Sequence, residues 1–109
     1  MDISKLDIYI LLALADAPAH GYAVMQAIRD RSAGAVRVST GSFYRRLSAI
    51  MKAGLVEEAA GPKADDPRRG ASYRLTARGR RVLADERDRL AALVAAVDGL
   101  RVSPRRGRA

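Results

Sequence analysis

The sequence contains no cysteine and no tryptophan, and its 109 residues include a single histidine, His20. The missing cysteines exclude disulfides, thiolate catalysis and cysteine-bound zinc, and one histidine cannot form a histidine-rich metal site. No glycine-rich phosphate loop or nucleophile-base pair is recognisable, and the adjacent carboxylates Asp65 and Asp66 fall in a predicted turn. We therefore expect no enzymatic activity, no cofactor and no metal.

Long apolar segments are missing as well. The apolar run 8–15 is bounded by Asp7 and Asp16 and is much shorter than the ~18–20 residues that a membrane-spanning helix needs. The N-terminus lacks the basic start and apolar segment of a secretion signal. These features predict a cytoplasmic protein without membrane association. The chain length predicts a single domain with a small core.

Acidic residues are scarce where basic residues are concentrated. The formal net charge is +8; residues 37–81 carry eleven basic and four acidic residues, and residues 101–109 add four arginines. Residues 1–36 and 82–100 are slightly acidic, with net charges of −1 and −2. A field concentrated in this way favours encounter with a polyanion such as nucleic acid. Codon bias could explain the excess of arginine over lysine, but it does not explain the clustering.

Apolar periodicity predicts two helices in the N-terminal third. The first is capped by Ser4, ends at Pro18, and has too many apolar residues for one buried stripe. The second ends at Gly34 in a left-handed turn, and residues 36–38 alternate like a minimal strand. Its apolar positions recur at spacings of three and four: Tyr22, Met25 and Ile28.

The third predicted helix, capped by Ser39 or Thr40, has two contrasting faces. Phe43, Leu47 and Ile50 share the core face. The outer face is small, hydroxylic and cationic, and residues 39–54 include no acidic residue. It comprises Arg45, Ser48, Ala49 and Lys52, flanked by Ser42, Tyr44 and Arg46. Such a face suits phosphates and base edges, although an ordinary amphipathic helix with incidental basic residues is the alternative.

A hairpin follows this helix, with strands expected at 55–60 and 71–75. The connecting residues 61–70, which we name the wing, hold two prolines and two glycines and so cannot extend the ladder. Lys63, Arg68 and Arg69 could reach the DNA backbone or minor groove, or the two arginines could pair with the acidic residues of the same loop. Helices followed by a hairpin predict a mainly α fold with a small β-hairpin, a winged helix-turn-helix over residues 1–75.

The last helix is capped by Thr76 and predicted to continue to residue 100. Its apolar seam is interrupted once, at residues 86–87. If the apolar side chains of this seam stayed in water, the folded chain would lose about 1.5–3 kcal/mol of burial free energy for each of them. We expect a second copy of the chain to cover them, with packing inside one subunit as the alternative. The predicted dimer interface is Leu83, Leu90, Leu93, Val94, Val97 and Leu100. The basic tail 101–109 is expected to be disordered.

Five segments, taken in order and spacing, resemble the PadR family of bacterial transcriptional regulators: residues 10–14 (ILLAL), 20–22 (HGY), 41–47 (GSFYRRL), 54–56 (GLV) and 73–79 (YRLTARG). The resemblance covers residues 6 to about 94. It implies a homodimer held by the last helix, with each subunit binding half of a palindromic promoter site, usually to repress. The tyrosine of the family's recognition helix corresponds to Tyr44, and its wing arginines to Arg68 or Arg69.

Two positions depart from this pattern. Phe43 stands where leucine is common, and Ser72 stands where an aromatic residue often precedes Tyr73. The first is a tolerable exchange in the core. The second could loosen the sheet or change the angle of the wing.

The expected partner is double-stranded DNA. Hydroxyl groups and free amides at the start of the third helix suit phosphate oxygens. Arg45 is the best candidate for a bidentate contact with guanine. The full set of predicted DNA contacts is Ser39, Thr40, Ser42, Tyr44, Arg45, Lys52, Lys63, Arg68 and Arg69. A winged helix that serves only as a protein-interaction module is the alternative.

Two further expectations concern small groups. A small apolar effector could bind between the paired last helices and the first helix, although the sequence does not identify it. His20, at the start of the second helix, is expected to be a capping or buried polar residue rather than a pH sensor or ligand contact.

Overall fold

The computed structural model describes residues 3–59 and 70–100. Four helices and three short strands follow one another: α1 (Lys5–Ala13), β1 (Ala19–His20), α2 (Gly21–Arg31), α3 (Thr40–Lys52), β2 (Val56–Glu58), β3 (Ser72–Leu75) and α4 (Ala77–Gly99). The predicted fold class, mainly helical with a small hairpin, is confirmed. The predicted contacts Lys63, Arg68 and Arg69 and the tail 101–109 lie outside the described residues.

Side-chain caps explain where three of the helices begin. Ser4 and Asp7 form a capping box on α1, in which the Asp7 amide donates to Ser4 Oγ over 3.1 Å and the Ser4 amide donates to Asp7 Oδ2 over 3.0 Å. Ser39, rather than Thr40, caps α3, and Thr76 caps α4. Each cap satisfies an amide that would otherwise lack a partner in the helix.

Helix ends agree less well with the sequence patterns. Helix α1 ends at Ala13, before the boundary predicted at Pro18. A left-handed turn does follow α2, which ends at Arg31, but it includes Ala33 with a φ of +53° as well as the predicted Gly34 with a φ of +82°. The strand predicted at 36–38 is wrong: this segment is irregular, and the Val36 amide donates to Ser32 Oγ over 3.0 Å.

The sheet has three antiparallel strands in the order β1-β3-β2. Val56 faces Leu75 and Glu58 faces Tyr73 across the hairpin, which is shorter than predicted on both sides. On the other edge of β3, Ala19 pairs with Tyr73 and His20 with Ser72. Strand β1 was not predicted, because two residues are too few to show an alternating pattern.

The core lies where the helices meet the sheet. Helix α1 packs against α2, α3 and α4, in agreement with its surplus of apolar residues. Tyr22 is an exception to the predicted core, because 74% of its surface is exposed. The buried apolar residues are Ile10, Leu11, Leu14, Val24, Ile28, Phe43, Leu47, Ile50, Leu55, Val56, Tyr73 and Leu75.

The end of α3 is fastened to the start of α4. Gly54, with a φ of +82°, turns the chain out of α3, and the Thr76 hydroxyl donates to the Gly54 carbonyl over 2.6 Å. Thr76 Oγ1 also accepts from the Gly79 amide over 2.9 Å. A Cβ on Gly79 would overlap the Leu55 carbonyl oxygen and a methyl group of Leu75. Only glycine therefore lets the first turn of α4 approach the hairpin this closely.

Replacing Gly79 with alanine is expected to lower the free energy of unfolding by about 1–3 kcal/mol, because the added methyl group meets backbone that cannot rotate away. The matched control is Gly99→Ala in the same helix, where a Cβ would have no neighbour within 4 Å. The control should not be less stable than the natural protein, since alanine favours helix over glycine. Thermal and urea unfolding measure both effects, and equal stability of the two variants would contradict the packing argument.

Candidate nucleic-acid interface

The outer face of α3 presents an exposed, cationic stripe. Arg45, Ser48 and Lys52 are exposed at spacings of three and four residues, whereas Phe43 and Ile50 are completely buried on the other side. Helix α3 carries no acidic residue that would neutralise the stripe. The predicted division between a core face and a cationic outer face is confirmed.

The start of α3 brings three of the predicted contacts together. Ser39 Oγ accepts from the Ser42 amide over 3.1 Å, and Ser42 Oγ in turn accepts from Arg45 Nη2 over 3.0 Å. Thr40 is exposed beside this chain of hydrogen bonds. The guanidinium of Arg45 is thereby held near the positive end of the helix dipole, where an anion is favoured.

Tyr44 lies between the core and the solvent. Its ring meets that of Phe43 edge to face, with centroids 4.9 Å apart, while 42% of the residue is exposed. Tyr73 of β3 is its buried neighbour. Burial of Tyr73, followed by the nearby charges of Tyr44 and Glu58, raises the pKa of the Tyr73 phenol. The Tyr44 ring thus packs on the domain, with part of its surface left at the outer face.

Arg46 is turned away from the outer face, although the sequence placed it on the flank of that face. Its guanidinium donates from Nε to Asp7 Oδ1 over 2.9 Å and from Nη2 to Asp7 Oδ2 over 2.8 Å. Asp7 is fully buried, and the Arg46 side chain is 39% exposed. The signal available in the sequence was a carboxylate among the apolar residues of the first helix, because such a group needs a cationic partner when buried.

Two opposing effects set the pKa of Asp7. Burial raises it. The hydrogen bonds from Arg46 and from the Ser4 amide, together with the charge of Arg46, lower it by more than burial raises it, so the pKa of Asp7 lies below its ordinary value. The same bonds raise the pKa of Arg46. Both groups are therefore ionised at neutral pH, and the pair joins α1 to α3.

His20 occupies the N-cap position of α2, but its side chain makes no capping hydrogen bond. Its Nδ1 lies 3.3 Å from the carbonyl oxygen of Ala71, next to the β1–β3 pairing. In the tautomer protonated at Nδ1 the ring donates to that oxygen. His20 thus connects the start of α2 to the residue that precedes β3. Among the described residues, no group of three carboxylate or imidazole side chains is arranged to hold a metal ion.

Helix α4 is partly buried in its first half and exposed in its second half. In its first half, Gly79 and Glu86 are buried, and Leu83 packs against the core. Every residue of the helix from 87 onward is exposed. The exposed large apolar residues of this half and of the C-cap form one stripe that continues the buried one: Leu90, Leu93, Val94, Val97 and the C-cap residue Leu100. Leu83 therefore differs from the other five residues predicted at the dimer interface, because its own subunit already covers part of it.

A groove of about 450 Å³ lies between α1 and the first half of α4. Its walls are mostly aliphatic, and polar side chains of α4 line one part of it. The lining residues are Ile8, Leu12, Leu75, Arg80, Leu83, Ala84, Glu86, Arg87 and Leu90. Within the described residues, no helix, α4 included, combines the length and apolarity needed to cross a membrane.

The helical core, the small sheet and the exposed cationic third helix define a winged helix-turn-helix protein. The family model for the transcriptional regulator PadR-like family matches residues 10–85. The chain belongs to this family and is a DNA-binding transcription regulator. The resemblance drawn from the sequence is confirmed.

Solved structures show the same fold at low sequence identity. A PadR family transcription regulator from Clostridium difficile aligns with a TM-score of 0.75 at 18% identity, covering 89% of this chain and 98% of that one. A PadR-like transcriptional regulator from Bacillus cereus aligns with a TM-score of 0.74 at 21% identity, covering 90% and 92%. Among proteins of curated function, none is similar enough to count as a relative.

We expect Arg46→Ala to destabilise the fold by about 2–3 kcal/mol at pH 7, somewhat less than the loss of a fully buried pair because Arg46 is 39% exposed. The loss arises because the buried Asp7 carboxylate keeps its charge without its partner. Arg45→Ala, which removes the same charge from the neighbouring exposed position, should leave stability nearly unchanged. Urea unfolding measures both.

The Asp7 pair also sets an acid limit. Because the pKa of Asp7 is lower in the folded chain than its unfolded value of about 3.9, the pair stabilises fully above that pH, and its contribution is lost as the pH falls through the folded-state pKa. The stability difference between the natural protein and Arg46→Ala should therefore be smaller at pH 3 than at pH 7. A difference that is constant from pH 7 to pH 3 would contradict the assignment.

Proposed function

We propose that the chain is a homodimeric repressor that binds an inverted-repeat promoter site and is released from it by a small apolar ligand. In this proposal residues 1–75 bind DNA, residues 76–100 hold the dimer together, and α3 is the recognition helix. The observation that carries the proposal is the exposed stripe of Arg45, Ser48 and Lys52 on a helix without acidic residues.

The described contacts suggest different tasks along α3. Ser39, Thr40, Ser42 and Tyr44 carry hydroxyl groups at its start, where phosphate oxygens are favoured by the free amides and the helix dipole. Arg45 lies one turn after Ser42, with a planar guanidinium that matches the two acceptors of a guanine edge.

The proposed DNA surface extends beyond these groups. Lys52 follows Arg45 two turns later along the same stripe. Lys63, Arg68 and Arg69 belong to the wing, outside the described residues, and are proposed as backbone or minor-groove contacts on sequence grounds.

The proposed dimer is supported by the exposed half of α4. A helix of 23 residues spans about 35 Å, and only its first half is covered by its own domain. Four large exposed aliphatic residues of its second half form one stripe with the C-cap residue Leu100, as in helices that pair with a second helix. Pairing two copies about a twofold axis would place two recognition helices in successive major grooves, about 34 Å apart.

The proposed release by a ligand is supported by the groove between α1 and α4. It is of a size suited to a small ligand, and Leu12, Leu83 and Leu90 contribute aliphatic walls. Because α4 is also the proposed dimer helix, a ligand bound there would lie close to the contact between subunits. This position offers a route for a ligand to change the spacing of the two recognition helices.

Arg45→Ala is expected to lower the preference for one base pair in each half-site by about 1–3 kcal/mol, because it removes the proposed guanine contact. The measurement is site selection from random duplexes, followed by gel shifts of matched and single-substituted sites at two salt concentrations. Arg81→Ala removes the same charge from an exposed position on α4 and should retain the selected preference.

Arg69→Ala tests a proposed phosphate contact, in contrast to the base contact that Arg45→Ala tests. It should weaken binding to all duplexes alike and reduce the slope of log affinity against log salt by about one. An equal loss on every sequence for both the Arg45 and the Arg69 variants would refute the proposed division of tasks. Absence of duplex binding by the natural protein would favour the protein-interaction module instead.

Val97→Glu should dissociate the proposed dimer, because it places a charge within the exposed apolar stripe of α4. Ala95→Glu is the matched control, since it adds the same charge to the same helix on the opposite face. Sedimentation at micromolar concentration should show a dimer for the natural chain and the control and a monomer for Val97→Glu. A monomeric natural chain would refute the dimer, and a dimeric Val97→Glu variant would place the interface elsewhere.

A further inference from the structure

Gly21, the first residue of α2, is buried and adopts an ordinary helical conformation rather than a left-handed one. The backbone conformation alone would accept residues other than glycine at this position, and alanine would favour the helix more than glycine does. The use of glycine must therefore be explained by what lies against its Cα.

The space that a Cβ would fill is occupied by the recognition helix. A methyl group on Gly21 would overlap the hydroxyl oxygen of Tyr44 and would lie 3.1 Å from its Cζ and 3.4 Å from Cε2 of Phe43. The Phe43 ring is completely buried and the Tyr44 ring packs on its edge, so neither ring can retreat into the core. Any larger residue at position 21 would therefore push the Tyr44 phenol outward.

We propose that Gly21 is a positioning residue for DNA binding, which lets the Tyr44 hydroxyl lie against the first turn of α2 in the pose that meets a phosphate. The inference rests on the proposed function, because Tyr44 is a proposed DNA contact. It extends that function to a residue on another helix. A hydroxyl donor moved by an ångström no longer meets an oxygen at hydrogen-bond distance.

The test is a double-mutant cycle of Gly21→Ala and Tyr44→Phe, measured both as affinity for the selected duplex and as thermal unfolding. Gly21→Ala and Tyr44→Phe should each weaken duplex binding about tenfold, as expected for one hydrogen bond to a charged phosphate. The double variant should bind no more weakly than Tyr44→Phe alone, because the misplaced hydroxyl is already absent. It should also recover most of the thermal stability that Gly21→Ala loses.

Several results would overturn the inference. One is duplex binding by Gly21→Ala that equals binding by the natural protein. Another is a loss of affinity that multiplies with the loss caused by Tyr44→Phe, as for a residue that acts independently. If Gly21→Ala alone does not fold, the double variant still decides, since it should fold and bind like Tyr44→Phe. Gly99→Ala is the control for the exchange of glycine by alanine and should lower neither duplex affinity nor thermal stability. Failure of the natural protein to bind any duplex would instead refute the proposed function.

Discussion

The orientation of α3, the proposed recognition helix, depends on one buried carboxylate. Asp7 completes the capping box that starts α1 and receives both hydrogen bonds of the Arg46 guanidinium from α3. A fully buried charge is tolerated only when its partners are in place, so the same group fixes the beginning of one helix and the rotation of another. With Arg46 directed inward, its neighbour Arg45 is left on the outer face.

The helix that carries Asp7 also borders the groove. Ile8, the next residue, lines the cavity between α1 and α4, while Asp7 faces α3. Helix α1 therefore separates the proposed DNA surface from the proposed ligand site and contacts the elements that form both. A displacement of α1 by an occupant of the groove would move the carboxylate that holds α3.

Local signals predicted much of this structure. The caps Ser39 and Thr76 and the left-handed Gly34 depend on hydrogen bonds or conformations within a few residues, and all three are confirmed. The buried face of α3 followed from periodicity. Features that depend on distant partners were missed: β1 exists because it pairs with β3, and Tyr22 is exposed although its spacing resembled that of a core residue.

The sequence alone determined the helical periods, the caps, the concentration of positive charge and the family, because these depend on residue type and near neighbours. Periodicity already favoured Arg45 over Arg46 as the proposed DNA contact, and only the tertiary structure decided that Arg46 pairs with a buried carboxylate. Arg45 and Arg46 have the same side chain and lie in the same helix. Of these two arginines, Asp7 bonds only to Arg46, which is 39 positions away from it along the chain. Such a choice is made by packing, which brings together groups that no local pattern connects.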